Sequence, residues 1–419
     1  MPILRLALAS LINRKTTAAL TVLSIALSVA LLLSVERMRA GAKQGFANTI
    51  SGTDLIVGAR SGQVQLLLFS VFRIGNATNS ITWQSYQQFA NDRNVAWTIP
   101  MSLGDSHRGY RVLGTTGAYF EHFRYGRKQP LELADGVPFD DLFDAVLGAE
   151  VATALGYSVG DPIVVAHGLG SEGFLRHEET PFRVAGILAP TGTPVDRTVH
   201  VSLQAIEAIH VDWRSGARIP GMTTAAEVLR KMELKPKSIT AFLVGLESRF
   251  AVFGLQRSIN EYRGEPLLAI LPGVALQELW SLISTAEIAL SAITVCVVAS
   301  GLIGMTVMLL AGLRERRREM AVLRSIGAQP RHIFTLMVSE AVGLTLAGCV
   351  VGLALTFAAM TLVAPLIEAR LGLHLAMGGI TIWDAKLLAL VIASGTIAGF
   401  LPAALAVRQS IADGTTVRT

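Results

Sequence analysis

Four long stretches of the chain carry almost no charge. Thr17 to Val35 and Ile288 to Leu313 hold none, Ile333 to Ile367 holds only Glu340, and Leu387 to Val407 is broken only by Pro402. A helix rises 1.5 Å per residue, so about 20 apolar residues cross the ~30 Å of hydrocarbon in a bilayer. Each stretch reaches that length, which predicts transmembrane helices at 16–36, 282–313, 333–367 and 387–407. The first follows Arg14 and Lys15, as the core of a signal peptide would. It exceeds the ~7–15 apolar residues of such a core, and Glu36, Arg37 and Met38 follow it rather than a small-residue cleavage site, so a retained span is expected. Segment 1–15 places Ile3, Leu4, Leu6, Leu8, Leu11 and Ile12 around Arg5 and Ser10. It reads either as an amphipathic helix on the membrane surface or as a plain extension of the first span.

Between the first two spans, residues 37–281 switch to short apolar alternation punctuated by turn residues. Pro181 to Leu188 and Thr198 to Leu203 read as strands, with the turn-rich APTGTPVD between them. Val146 to Leu155, Leu203 to Ile209, Ala225 to Met232 and Arg249 to Tyr262 read as helices, and Ser238 to Leu246 as a strand. Gly156 to Val165 reads as a turn into a strand. The expectation is a mixed α/β domain. Gln277 to Leu290 is amphipathic and runs without a breaker into the second span, and Ser34 to Phe46 prolongs the first. Together they predict a helical stalk.

Composition sharpens this picture. The chain has 419 residues, 51% hydrophobic and only 16% charged, which departs from a typical soluble domain. Its net charge of +5 comes from three short segments: Arg5, Arg14 and Lys15 at the start, six arginines within 314–332, and Arg408 and Arg418 in the tail 408–419. Cytoplasmic loops are enriched in Lys and Arg. With four spans all three segments share one side, so both termini are expected in the cytoplasm, with 37–281 and the loop 368–386 outside. The basic balance is thus a topology signal, and no nucleic-acid partner is expected. Both cysteines, Cys296 and Cys349, fall in spans, so the external domain has no disulfide to lean on.

Little in the chain suggests catalysis. None of the seven lysines follows a glycine, so no phosphate-binding Gly-Lys step exists. LGSEG at 169–173 lacks the first glycine of a hydrolase elbow, and HEET at 177–180 lacks the second histidine of a zinc helix. The external histidines (107, 122, 167, 177, 200, 210 and 374) show no tight ligand spacing. No catalytic residue, metal or cofactor is assigned.

The basic hairpin 314–332 does more than anchor at headgroups. Glu319 to Ile326 is a good helix former. Met320, Leu323 and Ile326 share one face, flanked by Glu319 and Arg324. Gly327 suits the left-handed position that stops a helix, and Pro330 suits the first turn of the next. So short a helix cannot bury its apolar face alone, which predicts docking into a groove of a partner.

EMAVLRSIGAQPRHI, followed by SEAVGLTLAGCVVG, resembles the signature of the FtsX-like permease family, which includes MacB, FtsX and LolC. VLGAEVATALGYSVGDPIVV, FRVAGIL and VHVSL are similar to the MacB-type periplasmic domain, and SGTDLIVGARSGQVQLLLFSVFRIGN and the tail resemble parts of such permeases. The resemblance implies an integral membrane α-helical protein with four transmembrane helices and a mixed α/β periplasmic domain of MacB type inserted between helices 1 and 2. It implies two copies of a separate ABC ATPase as partners, engaged by Glu319, Met320, Leu323, Arg324, Ile326 and Gly327. A homodimer and a periplasmic or lipoprotein partner are further expectations. The chain itself would be non-catalytic and would transmit ATP-driven motion to its periplasmic domain. Two other readings stand beside this one: a signalling or scaffold protein regulating a periplasmic enzyme, and a true small-molecule conduit.

Within the spans, Glu340 is either a polar contact at a helix interface or an ion-conducting group. Gly348 with Gly352, and Gly395 with Gly399, each present small residues on one helix face, which permits close packing within the subunit or across a dimer.

Overall fold

The computed structural model describes residues 14–167, 181–214, 217–218, 224–315, 320, 322, 324–325, 327–371 and 379–415. The chain divides into two compact units: Met1–Gly41, Ser284–Leu366 and Leu375–Thr419 form one, and Ala42–Ile283 with Ile367–His374 form the other. Helix α1 (Lys15–Asn48) opens the described chain. The second unit then adds α2 (Gln63–Ser70), α3 (Trp83–Ala90), α4 (Ala118–His122), α5 (Ala149–Leu155), α6 (Leu203–Ile209), α7 (Ala226–Leu229) and α8 (Val252–Asn260).

These helices pack on one large sheet. Its main strands are β1 (Leu55–Ala59), β2 (Val95–His107), β3 (Tyr110–Thr115), β4 (Leu133–Gly136), β5 (Asp144–Leu147), β6 (Phe182–Leu188), β7 (Thr198–Ser202), β8 (Ala241–Leu246) and β9 (Leu267–Ile270). They lie in the order β9-β1-β8-β2-β3-β7-β5-β6-β4. β7 runs parallel to β3 and β6 parallel to β5, while the other neighbours are antiparallel. The long β2 is shared between two halves of the sheet. Its residues from Val95 to Met101 pair with β8, and those from Ser102 to His107 pair with β3, with a register shift between Leu103 and Ser106.

Alternation along the strands sends side chains to two different cores. On β1, Ile56 joins Leu66, Leu67, Leu243 and Ile270. Its neighbours Leu55 and Val57 join Phe242, Val244 and Leu255 on the other face. All five β1 residues are buried, as expected of a strand covered on both faces. A third core lies between β5, β6 and β7, where Ala145, Leu147, Val184, Val199 and Val201 meet Val151 of α5 and Ile206 of α6.

The strands expected at 181–188 and 198–203 are present as β6 and β7. The helix expected over 146–155 is corrected. β5 runs to Leu147, and only Ala149 onward is helical. Gly148 separates the two because a side chain there would meet the Asp196 carbonyl at 2.4 Å. Gly156 then takes φ +71° and ends α5 in the left-handed region, where glycine carries no steric penalty.

The other unit contains α9 (Pro272–Glu315), α10 (Pro330–Leu371) and α11 (Ile382–Thr415), together with most of α1. Four described helices are long and apolar enough to cross a membrane. Ile25, Val29 and Leu33 of α1 pack with Leu302, Met305 and Leu309 of α9, Ala341, Leu344 and Cys349 of α10, and Val391 of α11. The outer faces are apolar too: Leu27, Ile293, Val350 and Ile397 are exposed. A helix apolar all round is what a lipid environment selects.

Candidate functional site

The region from Leu313 to Met337 is built from the junction of α9 and α10. Leu313 lies in the last turn of α9, and Pro330 opens α10 at the first helical position, where its missing N–H costs nothing. Between them Gly327 adopts φ +94°, with its N–H donating to the Arg324 carbonyl at 3.0 Å. Here the structure corrects the expectation for Met320. Its side chain is only 4% exposed and packs with Leu313, Ile333, Met337, Ala403 and Ala406. Met320 therefore already has an apolar groove, made by its own chain from α9, α10 and α11. Successive helical residues turn by about 100°, so Val322 points roughly opposite Met320. Val322 is 60% exposed and Ser325 is exposed, while Arg324 is half-buried. The outward face of this segment is that of Val322 and Ser325. Glu319, Leu323 and Ile326 lie outside the described residues.

About three turns into α10, Glu340 is fully buried at 0% exposure. Met337 on one side of it belongs to the cluster around Met320, and Ala341 and Leu344 on the other belong to the main bundle core.

The four glycines sit at helix contacts within the chain. A Cβ at Gly348 would lie 2.5 Å from Ile25 Cγ2, and one at Gly352 would lie 2.7 Å from the Ala26 carbonyl. Both therefore face α1. Gly395 faces Thr345 at 2.4 Å and Gly399 faces Ala341 Cβ at 2.5 Å, so α11 uses its pair against α10.

Among the described residues no cluster of His, Cys, Asp or Glu has a metal-binding arrangement. His107 is held by the Val164 carbonyl at 2.6 Å and the Tyr157 hydroxyl at 3.1 Å, and burial pulls its pKa down. His122 stacks on Trp97 with centroids 5.3 Å apart. His200 is buried on β7, with Nδ1 3.2 Å from the Val146 carbonyl and its ring 5.0 Å from that of Tyr119. Burial, reinforced by the nearby Arg73 charge, lowers the His200 pKa to about 3. The LGSEG and HEET segments, His177 and His374 lie outside the described residues, as does 1–13.

Residues 18–232 match the MacB-like periplasmic core domain, and residues 291–411 match the FtsX-like permease C-terminal region. The chain belongs to the MacB/FtsX-type permease family. Members are transmembrane components of ABC transporters, generally non-catalytic themselves, that work with an ABC ATPase. This permease is therefore a membrane protein with a domain of the periplasmic-core type. Among solved structures it is similar to the periplasmic region of MacB from Actinobacillus actinomycetemcomitans, at 12% identity and TM-score 0.34, covering 55% of this chain and 94% of that one. It is also similar to the extracellular domain of the noncanonic ABC-type transporter YknZ from Gram-positive bacteria, at 13% identity and TM-score 0.29, covering 52% of this chain and 99% of that one. No curated protein matches.

Sequence reasoning missed the inward use of Met320. The signal for it is faint: Ala403 and Ala406 are three apart just after Pro402, a small-residue face that leaves room for a longer side chain.

Proposed function

We propose that this permease couples ATP hydrolysis by a separate ABC ATPase to motion of its periplasmic domain, and that segment 314–332 is the coupling element. The observation that carries this reading is the division of labour around Met320. One face is clamped into the bundle by Met320, and the opposite face, with Val322 at 60% exposure, is left outward. An element that must pass a push from a partner to the spans needs both an outward contact and a firm inward one. The arginine-rich flank supports a cytoplasmic position, by the bias of cytoplasmic loops toward Lys and Arg. In this reading both termini are cytoplasmic, the α/β domain between the first two spans is periplasmic, and the permease works as a homodimer with two ATPase copies in the inner membrane. Envelope or lipoprotein handling is the matching class of work, with a periplasmic or lipoprotein partner. Val322, Ser325 and Arg324 are the contact residues in the described part of the segment, and Glu319, Leu323, Ile326 and Gly327 complete it.

The test is co-purification with a co-expressed ABC ATPase from the same genome. Val322→Asp is expected to lose the ATPase while inserting normally. Retention of the ATPase by Val322→Asp together with Ser325→Asp would remove segment 314–332 from the interface. Orientation is checked separately, in a variant with Cys296 and Cys349 replaced. A cysteine at Glu247 should react with an impermeant thiol reagent in spheroplasts, and one at Ser325 only after lysis.

A further inference from the structure

The α/β unit contains a cavity of about 390 Å³ at the point where β2 changes partners. Its walls come from the turn after α2, from Leu103 and Gly104 of β2, and from Arg111 of β3. Two guanidinium groups line it. Arg73 takes φ +60°, a left-handed conformation uncommon for a residue with a side chain, and its Nη1 donates to the Ser70 carbonyl at the end of α2. Its Nε is buried with no hydrogen-bond partner. Arg111 directs Nη2 to the Gly75 carbonyl at 2.5 Å and to Asn76 Oδ1 at 2.9 Å.

Capping α2 accounts for only part of this arrangement. A cation suits a helix C-terminus, but that role uses one of the five donors of Arg73, and the nearby Tyr119 hydroxyl still leaves Nε unpartnered. Among the described residues neither arginine pairs with a carboxylate. Burial lowers the pKa of both, and the Arg73 charge lowers that of Arg111 further. Two partly desolvated cations facing one cavity, with donors to spare, are incomplete without an anion.

We propose that this cavity is a binding site for a small organic oxyanion, a carboxylate or phosphate held by Arg73 and Arg111 with its apolar part against Phe69 and Leu103. The chemistry follows from the wall. Guanidinium forks match the planar or tetrahedral oxygens of such groups, and Asn79 and Ser80 add polar atoms at the rim. Phe69 is buried beneath, and the volume lies toward the low end of the ~300–1,000 Å³ typical of ligand pockets. All residues that line the site belong to the α/β unit.

The experiment is calorimetric titration of the full-length permease in detergent with inorganic phosphate, phenylphosphate and benzoate, and with neutral benzamide as control. The expected result is saturable one-to-one binding of at least one oxyanion with Kd below about 1 mM, no binding of benzamide, and at least tenfold weaker binding in Arg111→Gln. Arg111→Lys, which keeps the charge without the fork, should fall between. Phosphate binding as tightly as phenylphosphate would identify the free ion as the natural form, and tighter binding of the aromatic probes would identify an organic acid. Absence of saturable binding by all three oxyanions in the wild type, or unchanged affinity in Arg111→Gln, would overturn the proposal.

Discussion

Arg37 of α1 and Asp384 of α11 form an ion pair with 2.7 Å between Nη2 and Oδ2. Both side chains are shielded, at 14% and 2% exposure. The same Nη2 reaches the Gly379 carbonyl at 3.2 Å, and the guanidinium lies 4.5 Å from the centroid of the Phe357 ring on α10. Asp384 is itself fixed by a reciprocal pair with Thr381: it accepts from the Thr381 N–H at 2.8 Å, and its own N–H donates to Thr381 Oγ1 at 3.1 Å. One cation thus ties three helices together where α11 begins. Removing one partner of a shielded pair leaves the other charge uncompensated, which costs about 3–5 kcal/mol. Asp384→Ala is therefore expected to lower the melting temperature of the purified protein by several degrees. The double variant Arg37→Met with Asp384→Leu should regain most of the loss. A double variant as unstable as the single one would show that the pair is not what holds this corner.

His200 makes the α/β unit acid-sensitive. Its folded-state pKa of about 3 lies below the ordinary value of 6.5. Above pH 6.5 the ring is neutral in both states and contributes no pH dependence. As pH falls below 6.5 the unfolded chain takes up the proton and the folded one does not, so stability drops by about 1.4 kcal/mol per pH unit down to about pH 3. Hydrogen exchange at the β7 amides, compared at pH 7 and pH 5, should show this loss in the wild type. His200→Leu should flatten it. Equal pH dependence in both proteins would assign the acid sensitivity elsewhere.

Gly352 is the tightest test of the bundle. A methyl there would meet the Ala26 carbonyl at 2.7 Å and Val29 Cβ at 2.8 Å, so α1 would have to move. Overpacking of this kind costs about 1–3 kcal/mol. Gly352→Ala should lower the melting temperature. Gly304→Ala, where nothing lies within 4 Å, should not. Equal behaviour of the two would place the α1–α10 contact further apart than found here.

Met320 and Val322 are two residues apart and are predicted to fail in different ways. Met320→Ala removes a side chain packed among Leu313, Ile333 and Ala406 and should cost about 2 kcal/mol of stability. Val322→Ala removes an exposed one and should leave the melting temperature unchanged. Destabilisation by both would mean that both faces of the segment are packed within this chain.

What the sequence made legible follows from the range of the forces involved. The four apolar helices are written in runs of neighbouring residues, and β6 and β7 in the alternation of FRVAGIL and TVHVS, so a local reading finds them. β2 escaped because Pro100 and Gly104 punctuate its 13 residues, both of which argue locally against a strand. Pro100 is tolerated where the strand changes partners, and Gly104 stands inside the register shift. The local pattern runs Val146 into the following helix because Gly148, the residue that divides them, matters only through its approach to the Asp196 carbonyl, 48 positions further on. Met320 looked unpartnered for the same reason: Ala403 and Ala406 arrive from α11, about 80 residues later. The two arginines of the cavity are separated by a whole helix and β2, and no local pattern announces that they share a wall.

The last prediction concerns how the coupling segment reaches the rest of the molecule. Helix α9 runs from Pro272 to Glu315 without a break and supplies residues to both units, with the division falling between Ile283 and Ser284. Ala286 lies just past that division and is exposed, so a substitution there disturbs the helix and little else. Ala286→Pro removes one backbone hydrogen bond and drives its ring against the carbonyl four residues earlier, a cost of about 3 kcal/mol or more in a helix interior. In the proposed mechanism the segment 314–332 is untouched, so the ATPase should still co-purify and ATP hydrolysis should continue. The biological output of the transporter should fall, because motion of the spans would no longer pass along a continuous helix. A Gly-Gly insertion after Ala286 should have the same effect by slackening the helix instead of bending it. Lys235→Pro serves as the control, because Lys235 is exposed and lies outside every described strand and helix. Wild-type output from both α9 variants would mean that the helix is not the lever, and a path through the spans around the buried Glu340 would then be the one to test.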